Sequence, residues 1–411
     1  MVHSCSGDGF AILRRPYLLV TFIPVYKDQG GGLWLERLWH HDLIRHLDYL
    51  ADFRLCAPVL PKDGDQDLLR IDAPPGHQLR VISLPVQNSY AEAILSLPSV
   101  ILTLWRSIGD TAIVHSGVVG WPYPLGWIVN PLAKIRGKAL IIVVESSWLR
   151  TDRRNWKIAI LNAVSGVMAR WSCNHADVSF YTQPTYRDTL LARPGTTAYV
   201  TPAVWINEVD ALDETSAYKL WQLKLLQPVR LLFAGRLVAG KGIDVLLAAL
   251  KLLEKRESRV QVDIIGEGER RGECVKAGRE FRTVGLSVLD SVPYGEEFFK
   301  ILRRYHALLV PSLTDEQPRI VFDASAQALP LIASDTAGLR PHVDHDRTGW
   351  LVPSGDSEAL ALIIERASAE APKLRSMGMQ ALQGVQDHTH AAMHRTRSQI
   401  LMKHLGSTAR S

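Results

Sequence analysis

The chain of 411 residues predicts two α/β domains in tandem, each a doubly wound sheet of parallel strands. Three observations predict this. Apolar runs of strand length recur at intervals of roughly 25 to 45 residues with helical patterning between them, as in parallel strands joined by crossover helices. The length suits two domains of roughly 200 residues. Apolar residues make up 47% of the chain and charged residues 22%, the balance of a folded globular protein with enough apolar material for two cores.

In the first half, strands are expected at Tyr17–Pro24, Phe53–Pro58, Val81–Pro85, Ala112–His115, Ala139–Glu145, Val178–Thr182 and Ala198–Thr201. A helical pattern runs from Leu33 to Leu50 between the first two. The acidic and polar stretch between Trp205 and Gln227 reads as a boundary, with Asn207, Glu208, Asp210, Asp213 and Glu214 interrupting the apolar pattern. In the second half, strands are expected at Val229–Ala234, Val260–Ile265, Ala307–Val310, Leu331–Ser334 and Trp350–Val352. This divides the chain into a first domain over 1–205, a linker over 206–227, a second domain over 228–385, and a C-terminal helix and tail over 386–411. Two such domains imply a cleft, with ligands beyond the carboxyl ends of the strands.

The formal net charge of +5 suits anionic substrates, a membrane surface or nucleic acid, and does not choose among them. The basic residues do not form a run with interleaved aromatics, and no nucleic-acid-binding signature is present, so a nucleic acid partner is not expected. Cys5, Cys56, Cys173 and Cys274 lie far apart, without the spacing of a zinc site or redox pair, which fits thiols in a reducing compartment. No basic start followed by an apolar stretch opens the chain, so a cytoplasmic location is expected. Apolar runs such as Ala139–Val144 and Ala93–Trp105 are short or broken by proline, below the ~20 residues that cross a bilayer. Any membrane contact is therefore expected to be peripheral. Arg150, Arg153, Arg154 and Lys157 before the apolar stretch Ile158–Val167 fit either a basic amphipathic helix on an anionic surface or a helix packed within the domain.

The residues with chemistry cluster in the second half. Gly235-Arg236-Leu237 follows a strand, and Lys241-Gly242 precedes the helical pattern Ile243–Leu253. Glycine allows close backbone approach, while Arg236 and Lys241 offer a fork of donors and a point charge for phosphate oxygens. A surface turn with two solvated cations fits the spacing equally. Asp263-Ile264-Ile265-Gly266 repeats the strand-then-glycine device, either near a ligand or for steric reasons.

In Asp315-Glu316-Gln317-Pro318-Arg319-Ile320, followed by Asp323, Pro318 suits the start of a helix. Two carboxylates eight residues apart are separated by up to about 12 Å if all the steps are helical. They can hold hydroxyls at opposite ends of an elongated ligand while the helix start near Arg319 and Ile320 faces its phosphates. Alternatively Asp315 is a helix cap and Asp323 a solvated helix residue, although its alanine-rich, apolar surroundings disfavour solvation.

These motifs, together with Ala324-x-Ala326-x-x-x-Pro330, Ser334-Asp335, Gly338 and Asp346-x-Thr348-Gly349-Trp350-Leu351-Val352-Pro353, resemble the donor domain of the family-four (group 1) retaining glycosyltransferases over about 229–356. The resemblance implies the GT-B fold, with two Rossmann-like domains and an interdomain cleft. It implies transfer of a sugar from a nucleoside-diphosphate sugar to a glycan or lipid-linked acceptor, in bacterial polysaccharide or lipid-linked glycan assembly at the inner face of the membrane. Neither a metal nor a further cofactor is expected. Arg236 and Lys241 would bind the diphosphate, helped by Gly235, Gly266, Arg319 and Ile320; Asp315 would hold the transferred sugar and Asp323 the ribose.

The chain departs from the family pattern in carrying aspartates for two glutamates and Glu316-Gln317-Pro318 for Gly-Phe-Gly. Pro318 removes an N–H from the phosphate-facing turn, and Arg319 offers a charged donor in its place. Glu316 is an alternative first carboxylate in a shifted register. In the first domain, Gly30-Gly31-Gly32 resembles the family's glycine loop, with Gly31 and Gly32 placed for a phosphate or acceptor; a flexible turn is the alternative reading. His115 stands where a family histidine is frequent, although a strand-end histidine is equally a structural residue; Glu145 stands where another histidine lies near the anomeric carbon, where a carboxylate could bond a sugar hydroxyl or stabilise positive charge. These departures also leave open a catalytically silent homologue, or an epimerase or hydrolase on the same fold.

Overall fold

The computed structural model describes residues 10, 12–63, 67–146, 156–191 and 197–406. They form two compact units, one of Met1–Pro202 with Met393–Ser411 and one of Ala203–Ala392. Ala203 onward groups with the second unit, including the stretch read as a linker, where Glu214–Lys224 is a helix capped by the Asp213 side chain. The C-terminal helix His390–Leu405 begins in the second unit, and from Met393 its residues belong to the first.

The first unit contains strands β1 (Tyr17–Val20), β2 (Val25–Lys27), β3 (Leu33–Glu36), β4 (Asp52–Pro61), β5 (Leu68–Arg70), β6 (Gln78–Leu84), β7 (Ile113–Gly117), β8 (Ala139–Val144), β9 (Val178–Tyr181) and β10 (Ala198–Val200). Its parallel strands lie in the order β6-β4-β1-β7-β8-β9-β10, with β1 between β4 and β7. The pleat sends alternate residues of β1 to opposite faces: Tyr17 joins one apolar core and Leu18 the other. Beyond the carboxyl half of β4, β2 adds in parallel and β3 and β5 follow antiparallel.

This extension corrects the helical reading of 33–50. Leu33–Glu36 is a strand, and the helix occupies Arg37–Leu47. Gly30–Gly32 lies in the turn joining β2 to β3, where the Asp28 carboxylate accepts from the Gly32 N–H at 2.7 Å and from the Trp34 indole at 2.8 Å. Gly31 has φ +83°, a conformation glycine adopts without a Cβ penalty. A second correction concerns Ala93–Trp105. Helix Tyr90–Gly109 runs for 20 residues through Pro98, opened by a capping box in which Ser89 accepts from the Glu92 N–H and the Glu92 carboxylate accepts from the Asn88 N–H. Its mean hydropathy of 1.3 makes it long and apolar enough to cross a membrane by length and composition.

The second unit contains β11 (Arg230–Ala234), β12 (Gln261–Ile265), β13 (Gly285–Leu289), β14 (Ala307–Val310), β15 (Leu331–Asp335) and β16 (Gly349–Pro353), all parallel in the order β13-β12-β11-β14-β15-β16. Strand β13 escaped the sequence reading because Ser287 and Leu289 are exposed and weaken its apolar run. Apart from β13, the strands are mostly apolar on both faces, as helices on each side require; β12 also buries Asp263, which accepts from Arg230 and the Tyr305 hydroxyl. Strand order reverses between β11 and β14, so the loops leaving their carboxyl ends flank the switch-point crevice where such sheets bind ligands.

Candidate functional site

The loop after β11 carries Gly235, Arg236 and Lys241. Arg236 is exposed, and its guanidinium makes no hydrogen bond or ion pair with any described residue. Lys241 closes a 3-10 turn, Ala239–Lys241, and Gly242 follows at φ +75° to start helix Ile243–Lys255. A Cβ on Gly242 would lie 1.7 Å from the Pro311 carbonyl oxygen, so the absence of a side chain lets this loop close on the one after β14. The Leu313 N–H donates to the Gly240 carbonyl at 3.0 Å across that contact.

The loop after β14 carries the acidic residues. Lys241 Nζ lies 3.4 Å from a Glu316 carboxylate oxygen, so the structure joins the basic and acidic motifs directly. Asp315 is exposed and accepts from the Ala337 N–H at 3.1 Å. It thereby ties a third loop, after β15, to the site, and Gly338 in that loop approaches so closely that a Cβ would lie 2.2 Å from the Glu316 carbonyl oxygen. Gln317 was not singled out by its sequence context, yet it is buried and clamps the Ala203 backbone at both ends of its amide, at 2.9 and 3.2 Å. Arg319 stacks over Trp205 at 4.5 Å and immediately precedes helix Ile320–Ala326 without a side-chain capping bond; the first helical residue, Ile320, is half-buried.

Asp323 is 3% exposed and accepts a 2.7 Å hydrogen bond from the Tyr294 hydroxyl. This rules out the solvated-helix alternative. Burial pushes its carboxyl up to about 7, against the opposing Tyr294 hydrogen bond and Arg319 charge, while Asp210 adds to the rise. Tyr294 is correspondingly pushed up, by burial first and then by the Asp323 charge. The proton therefore stays on Tyr294, and the carboxyl is half-ionised near neutral pH. Gly266 serves packing: at φ +148° its missing side chain admits the Gly235 carbonyl oxygen, 1.9 Å from where a Cβ would stand.

The first unit holds a cavity of about 600 Å³ at the carboxyl ends of β1, β7 and β8. His115 and Glu145 both line it; Gly31 and Gly32 do not. His115 is 9% exposed, and its Nδ1 shares a 2.8 Å hydrogen bond with the Tyr17 hydroxyl. Burial, reinforced by His46 and Arg397, holds its imidazole well below the ordinary histidine range, so it is neutral at pH 7. Glu145 is half-buried just beyond β8.

Sequence spacing gave no signal for the other polar groups in or directly behind this wall. Asp42 and His46 are four apart on helix Arg37–Leu47, and His394 comes from the C-terminal helix. His394 Nε2 lies 3.1 Å from one Asp42 oxygen and His46 Nδ1 lies 3.3 Å from the other. A carboxylate oxygen and two ring nitrogens lie within 4.8 Å of one another, close enough to share a cation. His46 Nδ1 also lies 2.9 Å from the Asp42 carbonyl one turn back in its own helix, and His394 Nδ1 lies 3.3 Å from the hydroxyl of Tyr49, just beyond that helix, so these ring nitrogens have protein partners. The basic segment read at Arg150–Lys157 lies outside the residues, or side chains, described; the helix Trp156–His175 that follows it exposes Ile160, Val164 and Val167.

Residues 228–370 match the family Glycosyl transferases group 1. The chain is 31% identical over 150 residues to the amylovoran biosynthesis glycosyltransferase AmsK of Erwinia amylovora, covering 35% of this chain and only 37% of that relative. It is 28% identical over 399 residues to a D-inositol 3-phosphate glycosyltransferase of Streptomyces scabiei, covering 88% and 86%. Among solved structures, sucrose-phosphate synthase from Thermosynechococcus elongatus superposes with a TM-score of 0.70 at 17% identity, covering 95% of this chain and 99% of that one. Anabaena Alr3699/HepE in complex with UDP and glucose superposes with a TM-score of 0.65 at 14% identity, covering 95% and 100%. Both likenesses concern the fold, which is GT-B.

Proposed function

We propose, for a chain whose residues 228–370 match the group 1 glycosyl transferases, that the protein transfers a glycosyl unit from a nucleoside-diphosphate sugar to an acceptor hydroxyl with retention of configuration. One observation carries this reading: Arg236, whose guanidinium pairs with no described residue, and Lys241 stand on the β11 loop, where Lys241 meets the carboxylate-bearing β14 loop, at the switch point of the sheet. Two cations there neutralise the negative charge that builds on a departing diphosphate, and stabilising charge where it develops is usually the largest catalytic contribution. A relative in fold was solved with UDP and glucose, which supports a uridine nucleotide as the first donor to try.

In this reading Asp315 holds a hydroxyl of the transferred sugar, and Asp323 holds the ribose with the oxygen that Tyr294 leaves available. Gly235, Arg319 and Ile320 face the phosphates. Glu145 stabilises positive charge at the anomeric carbon, and His115, being neutral, is a hydrogen-bonding partner for the acceptor. The two cations of the chain take the role a divalent ion would otherwise have, so the reaction is proposed to run without metal or cofactor. Release of nucleoside diphosphate that requires an acceptor tests the reading; release without any acceptor identifies a hydrolase instead.

The acceptor is proposed to be a growing or lipid-linked glycan, a role supported by the likeness to the amylovoran glycosyltransferase. Peripheral membrane contact is proposed through helix Tyr90–Gly109, which exposes Ile94, Leu95, Ile101, Leu102 and Trp105. Only 22% of its most apolar window is buried, and the Arg136 guanidinium stacks 4.1 Å over Trp105. Such an apolar stripe edged by tryptophan and arginine fits the interface of a bilayer.

A further inference from the structure

We propose that the cavity of the first unit binds an acidic carbohydrate or polyol, with Arg397 taking its oxyanion; this rests on the glycosyltransferase reading and names the acceptor class for it. Arg397 lines the cavity and is 5% exposed. Its Nε and Nη2 are buried and meet no acceptor, and no described residue forms an ion pair with it. Its guanidinium lies 5.7 Å from the Phe180 ring, and its charge acts on the nearby Tyr17 and Tyr49 hydroxyls and on the His115 imidazole.

Three carboxylates, Glu36, Asp42 and Glu145, line the same cavity, yet none pairs with this guanidinium. Asp42 is held by His394 and His46 instead. Arg397 therefore does not serve to neutralise its neighbours. A buried charge without an acceptor is costly to keep, and an unsatisfied buried donor needs a reason. A ligand oxyanion supplies one, because the planar fork of arginine matches carboxylate and phosphate oxygens. Carboxylates in the same wall accept hydroxyl protons. A wall with one guanidinium and several carboxylates thus fits a ligand with both an oxyanion and free hydroxyls, such as a sugar phosphate or a uronate.

Calorimetric titration of the full chain with glucose 6-phosphate, glucuronate, glucose and inorganic phosphate tests this, on the native protein and on R397M. At least one acidic sugar is expected to bind the native chain ten-fold or more tighter than glucose, and to lose that advantage in R397M. Preference for glucose 6-phosphate or for glucuronate tells whether the oxyanion is phosphate or carboxylate. Without ligand, R397M is expected to melt at or above the native temperature, since the unpaired charge is gone. R397K, which keeps the charge but not the fork, is expected to weaken acid binding several-fold, and it serves if R397M does not fold. Acid binding that is absent at 10 mM on the order of the weakest useful affinity, or unchanged in R397K or R397M, overturns the proposal. UDP binding, measured alongside, is expected to be equal in native and variant chains; its loss from both would sink the glycosyltransferase reading separately.

Discussion

Asp323 offers a prediction whose size follows from the structure. Its folded-state value of about 7 stands against an ordinary 3.8, a rise of about 3 units, and each unit is about 1.4 kcal/mol. Between those two values the folded chain holds a proton that the unfolded chain has released. Stability therefore falls as pH rises from about 4 to about 7 and is level above that, with a total loss of about 4 kcal/mol as an upper bound. Asp323→Asn removes the ionisable group while leaving an oxygen to accept from the Tyr294 hydroxyl. Urea unfolding of both chains at steps from pH 5 to pH 8 isolates this group, because the other titrations cancel in the difference. The variant is expected to gain on the native chain from pH 5 to about 7 and then hold that gain, being the more stable by about 2 to 4 kcal/mol at pH 8. A difference independent of pH, or a variant that loses ground as pH rises, would show that the carboxylate is ionised and compensated in the fold, and the buried-carboxyl reasoning would be wrong.

Three further predictions concern separate parts of the chain. Asp315→Asn is expected to lower kcat/KM by about 10- to 100-fold, the loss of one charged hydrogen bond, while Glu316→Gln changes it less than about three-fold because its 3.4 Å contact with Lys241 is partly solvated. Steady-state kinetics with the reverse ranking would move the first carboxylate to Glu316. Gly242→Ala is expected to destabilise the second unit by about 3 kcal/mol or more, read by urea unfolding, since it adds left-handed strain to a backbone clash. A full-strength G242A chain would contradict the tight loop contact. The double variant Leu95→Glu, Leu102→Glu is expected to reduce flotation with phosphatidylglycerol vesicles at least ten-fold, from about 1.5 to 3 kcal/mol per buried leucine; unchanged flotation would remove helix Tyr90–Gly109 from the membrane contact.

What the sequence discloses follows from how local each signal is. Strand β11 with Gly235, Arg236 and Lys241 is legible because a buried strand, its terminal glycine and the next helix occupy one continuous stretch. Asp323 stands out as an acid among alanines, and it is buried. Its partner Tyr294 lies 29 residues away on another loop, and no spacing announces it. The sequence pattern starts helix Arg37–Leu47 four residues early, because Leu33-Trp34-Leu35 carries apolar residues that suit a helix face or a strand equally. Strands β2 and β5 have three residues each, too few to show alternation. Helix Tyr90–Gly109 was divided at Pro98, which it carries without interruption. The cluster of Asp42, His46, His394 and Arg397 is assembled across about 350 residues of chain, a separation at which only the fold can bring side chains together.

The donor site is tested most directly by titrating UDP-glucose and other nucleotide sugars, in buffer with EDTA, into the native chain and into the Arg236→Ala, Lys241→Ala double variant. The native chain is expected to bind at least one of them, and the variant at least about 100-fold more weakly, the effect of two charge-assisted hydrogen bonds of about 1.5 kcal/mol or more each. A folded native chain that binds no nucleotide sugar, or a variant that binds as well as the native protein, would contradict the assignment.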